Sequence, residues 1–124
     1  MKICDLDIEL YKCVTPDIAT DEVLITDERI AHIQNHHPND FERYSQYIAE
    51  MVQHPQYIIA DAVPNTAVVL CEFAEAGERF RLILKIAVME DASYKKNTVI
   101  TFMKISEKKF RKYLRNKIIL YKSE

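Results

Sequence analysis

Apolar and polar positions along this 124-residue chain change their period several times, and each change marks a new element. Residues 1–14 alternate, with Ile8, Leu10 and Lys12 against Asp7, Glu9 and Tyr11, which predicts an acidic strand or extended arm. Residues 1–22 thus read as an N-terminal strand or arm of a single domain covering 1–124. Thr15-Pro16 breaks the alternation, and the short apolar run Val23-Leu24-Ile25 leads to Thr26. Thr26 suits an N-cap, with Asp27 and Glu28 well placed for the first turn of a helix. That helix ends at His36 or His37, because Pro38 disfavours helical backbone in the residue before it. A second helix is expected from Asn39-Asp40 to His54-Pro55, burying Phe41, Tyr44, Ile48, Met51 and Val52 along one stripe.

From Tyr57 the period falls to two. Tyr57–Asp61, Ala67–Phe73, Phe80–Met89 and Thr98–Met103 read as strands, with turns at Pro64-Asn65 and Ala76-Gly77-Glu78. On the third strand Phe80, Leu82, Leu84, Ile86 and Val88 share one face, and Arg81, Ile83 and Lys85 share the other. Ser106 caps a basic helix edged by Phe110, Tyr113 and Leu114, and Ile118–Tyr121 gives a last short strand. Helices followed by strands, without βαβ alternation, predict an α+β fold. Two N-terminal helices pack on an antiparallel sheet of about four strands, with a C-terminal basic helix.

Composition narrows the class. An apolar fraction of 48% supports a core, and a single glycine argues against a repetitive chain. No apolar run is long enough to span a membrane, and Met1–Asp7 lacks the apolar stretch of a signal peptide. Cys4, Cys13 and Cys71 are odd in number and scattered, as expected of reduced thiols in a cytoplasmic protein. The formal charge of −2 conceals an asymmetry. Residues 1–78 hold four Lys and Arg against fifteen Asp and Glu, a balance of −11, and residues 79–124 hold thirteen against four, a balance of +9. Either the basic half meets an anionic ligand and the acidic half a basic partner, or the two halves fold together and neutralise each other.

Candidate chemistry concentrates on the first long helix. Arg29, His32 and His36 stand at i, i+3 and i+7 and form one cationic stripe, beside Ile30 and Ile33 on the docking face. Imidazole gives or takes protons near neutrality, which makes His32 the leading candidate for a proton-transfer group. Arg29 offers a planar fork for phosphate, Lys85 a charge for a developing phosphorane, and Thr101 a hydroxyl for the same oxygens. A metal-dependent hydrolase is another reading, since His32 and His36 have i, i+4 ligand spacing. It lacks a glutamate between them, and Cys71 and His54 are only conjectural third ligands. His37 stands about 140° round the helix from His32 and reads better as a helix-end hydrogen-bonding residue. In Lys108–Arg115, cations and the aromatics Phe110 and Tyr113 interleave, suiting either RNA or a solvated basic face over a buried edge. Neither a glycine-rich phosphate loop nor a dinucleotide fingerprint nor a G-x-S-x-G elbow is present, so no cofactor is expected.

Longer stretches carry a resemblance. Ile25-Thr26, Arg29, His32-Ile33, His36-His37-Pro38-Asn39-Asp40-Phe41 and Tyr44 are similar to the opening of the phage-associated barnase–EndoU–colicin–RelE-like (BECR-fold) nuclease families. The similarity runs on through His54–Ile58, Pro64–Ala67, Asn97–Phe102, Tyr113–Lys117 and Leu120-Tyr121, in collinear order. It implies helices on an antiparallel sheet and a metal-independent endoribonuclease cleaving RNA by 2′-hydroxyl attack, in a phage or toxin context. The implied catalytic positions are His32 and His37 on the helix and Lys85 and Thr101 on the sheet, to which the stripe adds Arg29. His36, Arg81, Lys104, Lys108, Arg111 and Tyr121 are expected to bind phosphate or RNA. His36 replaces an expected arginine and Gln56 an expected aspartate. Expected partners are RNA and an immunity or inhibitor protein, with no membrane. The site of action is the cytoplasm, the protein's own or that of a target cell. The alternative is an inactive nuclease-like module that binds a protein partner.

Overall fold

The computed structural model describes residues 1–74, 76–90 and 95–123. In chain order its elements are β1 (Lys2–Asp5), α1 (Ile8–Tyr11), β2 (Glu22–Leu24), α2 (Asp27–His36), α3 (Asp40–Tyr44) and α4 (Gln46–Gln53). They continue with β3 (Tyr57–Ala60), β4 (Thr66–Phe73), β5 (Glu78–Lys85), β6 (Asn97–Ile105), α5 (Glu107–Asn116) and β7 (Ile119–Lys122). The two long helices start where their caps dictate. Thr26 Oγ1 accepts from the Arg29 amide and Ser106 Oγ from the Lys109 amide, each at 3.1 Å, satisfying donors that have no partner within the helix. His37, restrained by Pro38, leaves the helical region with φ −135°, and Asn39 turns the chain through the left-handed region at φ 72°.

The strands form one seven-stranded sheet in the order β1-β2-β6-β5-β4-β3-β7. Four features differ from the expectation. The sheet has seven strands rather than about four: β1 lies in the expected N-terminal strand or arm and β7 is the expected last short strand, both joining the sheet, while the three-residue β2 is too short to show a period. The sheet is mixed rather than antiparallel, since β2 runs parallel to β6 through Val23↔Asn97 and Leu24↔Thr98. The alternation over residues 1–14 also stops at Asp5. Asp7 caps α1 by accepting from the Leu10 amide, and Tyr11 is fully buried with its hydroxyl donating to the Val52 carbonyl at 2.8 Å. The expected second helix divides at Ser45, where the Ile48 amide bonds three residues back instead of four.

Residues paired across a ladder point to the same side, so the sheet has two distinct faces. One carries Ala67, Val69, Cys71, Phe80, Leu82, Leu84, Val99 and Phe102, packed with Tyr11, Ile33, Tyr44, Ile48, Met51 and Val52 of α1 to α4. The other carries Ile59, Val68, Leu70 and Ile105 against Phe110 of α5, with Ile83, Met103 and Tyr113 alongside. The acidic and basic halves interleave within this one sheet. Glu22 pairs with Lys96, Glu78 with Lys104 and Glu72 with Arg79, so part of the asymmetry is neutralised internally.

Asn97 joins distant parts of the chain. It is fully buried, its Oδ1 accepts from the Ala87 amide, and its Nδ2 donates to the carbonyls of Thr20 and Glu22. Asn97→Ala strands those groups, and we expect a loss of about 1–3 kcal/mol in chemical denaturation. A loss under about 0.5 kcal/mol would mean that the clamp is not stabilising.

Candidate functional site

Past the two-residue pairing of β2, α2 and α3 flank β6, and Asp40 accepts from the Lys104 amide at 3.4 Å. α2 buries Ile33 and turns His32 and His36 outward. One turn apart, the two rings stack with centroids 4.2 Å apart and planes inclined by 30°. His36 Nδ1 lies 3.0 Å from the His32 carbonyl oxygen. A carbonyl only accepts, so Nδ1 carries the hydrogen, and in the neutral ring Nε2 holds the lone pair. Arg29 is half-buried one turn earlier. His37 ends the helix, its amide donating to Ile33 and its carbonyl accepting from Asp40. Among the described residues no group of three His, Cys, Asp or Glu is arranged to hold a metal. Of the conjectural third ligands, Cys71 lies in the core with Sγ accepting from the Gln56 amide, and His54 closes α4. Burial pushes the Cys4 and Cys71 thiols up to about 11, which keeps both protonated near neutrality.

Lys85 and Thr101 lie on the other side of the sheet. Arg81, Ile83 and Lys85 alternate on the face of β5 that meets α5, and Met103, Thr101 and Thr98 oppose them on β6. Lys85 Nζ donates to the Pro64 carbonyl at 3.1 Å. Thr101, opposite Ile83, therefore lies diagonally between Arg81 and Lys85 on this face, at the roughly 7–8 Å spacing of such a ladder. The structure therefore joins His32 to His36 on one side of the sheet and places Lys85, Thr101 and Arg81 on the other, with β6 common to their surroundings.

The remaining expected binding residues divide. Lys104 is held by Glu78, and that hydrogen bond raises its pKa above the usual lysine value. Arg111 pairs with Glu107, while Lys108 is exposed. Tyr121 faces the α1–α4 side, opposite Ile58 and packed on the main core, away from α5. Sequence reasoning passed over Lys117 and treated Tyr113 only as an apolar edge or base platform. In the structure a cleft of about 210 Å³ between α5 and the sheet includes both, with Arg81, Ile83 and Asp61. A wider groove of about 470 Å³ along α5 shares Tyr113 and Lys117 with that cleft and adds Lys108, Lys109 and Lys112. The clue to this arrangement was parity: Arg81 alternates with the buried Phe80 and Leu82, so it must face the side where the basic helix returns.

Helices on one side of a mixed sheet, a basic helix on the other, and imidazoles and cations around β6 make up an α+β protein. The chain belongs to the phage-Barnase-EndoU-ColicinE5/D-RelE like nuclease2 family, whose family model matches residues 6–122. No curated protein and no solved structure matches the chain. Among the described residues no helix is long and apolar enough to cross a membrane.

Proposed function

We propose that this nuclease-family protein is a metal-independent endoribonuclease that cleaves RNA by attack of the 2′-hydroxyl on the adjacent phosphorus. The observation that carries the reading is the stacked His32/His36 pair, in which the carbonyl of His32 fixes the proton of His36 on Nδ1. Neutral His36 then offers Nε2 as a base for the 2′-hydroxyl proton. His32, protonated, gives its proton to the departing 5′-oxygen as the P–O bond breaks. The products are a 2′,3′-cyclic phosphate and a 5′-hydroxyl, and the two imidazoles have exchanged protonation states. Arg29, one turn earlier on α2, supplies positive charge to the phosphorane, whereas Lys85 and Thr101, on the opposite face of the sheet, stand apart from this phosphate. Two supports for RNA as substrate are the lysine-lined groove on α5 and membership of the nuclease family.

Purified protein should cut single-stranded RNA in EDTA and leave 2′,3′-cyclic phosphate ends. His36→Gln, which can put an amide near the Nε2 position but has no base there, should lose at least about 10²-fold in rate, as should His36→Asn. Cleavage that stops in EDTA and returns with a divalent ion would overturn the metal-independent mechanism. Failure to cut any RNA pool, together with a stable stoichiometric protein complex, would favour the non-catalytic module.

A further inference from the structure

Two arginines stand side by side on the α5 face of β5, and their circumstances differ. Arg79 pairs with Glu72 and approaches Glu107. Arg81, two residues on, has no carboxylate within ion-pair distance among the described residues. Its Nη1 donates to Tyr113 Oη and its Nη2 to the Met103 sulfur, a weak acceptor, and its Nε, like that of Arg79, is enclosed without a partner among the described residues. A partly buried guanidinium left with a phenol and a thioether lacks the anion that such a charge ordinarily needs. It faces a cleft of about 210 Å³, room for one small group, and Lys117 stands at the rim.

We infer that this cleft is a phosphate-binding site, separate from the imidazole pair, in which Arg81 takes the phosphate oxygens. One oxygen replaces the Met103 sulfur on Nη2, Tyr113 donates its hydroxyl hydrogen to another while still accepting from Nη1, and Lys117 closes the rim. The one acid in the lining is Asp61, whose carboxylate accepts from the Val63 amide. Its charge opposes binding and tunes the affinity downward. The lysine groove begins at the same Tyr113 and Lys117, so the phosphate is that of a single strand leaving along α5. As a substrate subsite this rests on the ribonuclease reading; as an anion site it does not.

The test follows the Arg81 Nε–H signal by NMR while the full chain is titrated with inorganic phosphate and, separately, with a non-cleavable 2′-O-methyl hexanucleotide. Both ligands should shift the signal, the oligonucleotide at much lower concentration. Arg81→Gln should weaken oligonucleotide binding roughly tenfold or more, and Asp61→Asn should strengthen it. Lys117→Ala, at the exposed rim, gives a second variant if Arg81→Gln fails to fold, and should weaken binding severalfold. A shift with phosphate alone leaves a small-anion site and overturns the strand. An unmoved Arg81 signal with both ligands overturns the site, even if RNA is cut. Binding at Arg81 without cleavage keeps the site and removes the ribonuclease.

Discussion

His32→Ala is expected to lower the rate of RNA cleavage by at least about 10²-fold, and up to 10⁴-fold, with almost no change in stability. Both halves of that expectation come from the geometry. The side chain is exposed on α2 and its ring stacks on that of His36, so removing it should shift stability by no more than about 0.5 kcal/mol. The same ring would supply the leaving-group proton, so chemistry should suffer while folding does not. Single-turnover cleavage in EDTA beside a thermal melt reads both. Adding His36→Ala to His32→Ala should cost far less than the product of the two single losses, because the pair acts as one device. A His32→Ala protein that cuts at the wild-type rate removes His32 from the mechanism. In that event Arg81, Lys85 and Thr101 on the opposite face become the place to look for the proton acceptor's neighbours.

The second large effect is structural. Phe80 is fully buried at the middle of the sheet and meets four rings: Tyr44 at 4.9 Å, Phe102 at 5.2 Å, Tyr47 at 5.4 Å and Phe73 at 5.8 Å between centroids. Phe80→Ala removes the ring around which α3, α4, β4 and β6 converge. The expected cost is about 3–5 kcal/mol, the range for large aromatic truncations that leave a cavity. For a domain of this size that corresponds to a melting temperature lower by roughly 10–20 °C. Phe110→Ala, in the smaller cluster beneath α5, should cost less, because fewer groups close over it. Equal losses at the two positions would mean that the two faces are not separate packing units.

The legible parts of the chain were those with a local cause. Thr26, Pro38 and Ser106 mark helix ends through backbone hydrogen bonds and restricted dihedrals, and the structure uses each of them. Alternation placed Phe80, Leu82 and Leu84 inside and Arg81 and Lys85 on the opposite face. What escaped depended on partners far away in sequence. Glu22–Leu24 becomes a strand because Lys2–Asp5 lies on one side of it and Asn97 and Thr98 on the other, and no local pattern in three residues announces that. The same limit applies to the site. The i, i+4 spacing of His32 and His36 predicts neighbouring rings, and they stack. That Lys85 and Thr101 turn to the α5 side, apart from that helix, follows from strand register and from the bulge between Ile83 and Leu84. Lys117 entered the cleft through the way α5 returns across the sheet, which composition does not encode.

Asn97 closes contacts of 75 and 77 residues in sequence separation with a single side chain. Short-range elements can form early, but this closure must wait until most of the chain is in place. The edge formed by β1 and β2 should therefore be the last piece to assemble and the first to detach, with the fastest amide exchange of any strand pair. Because α2 follows β2 directly, each such opening frees the tether of the helix that bears His32 and His36. Turnover of this protein by proteases would then begin at residues 20–27, and its lifetime would be set by how firmly one amide side chain holds.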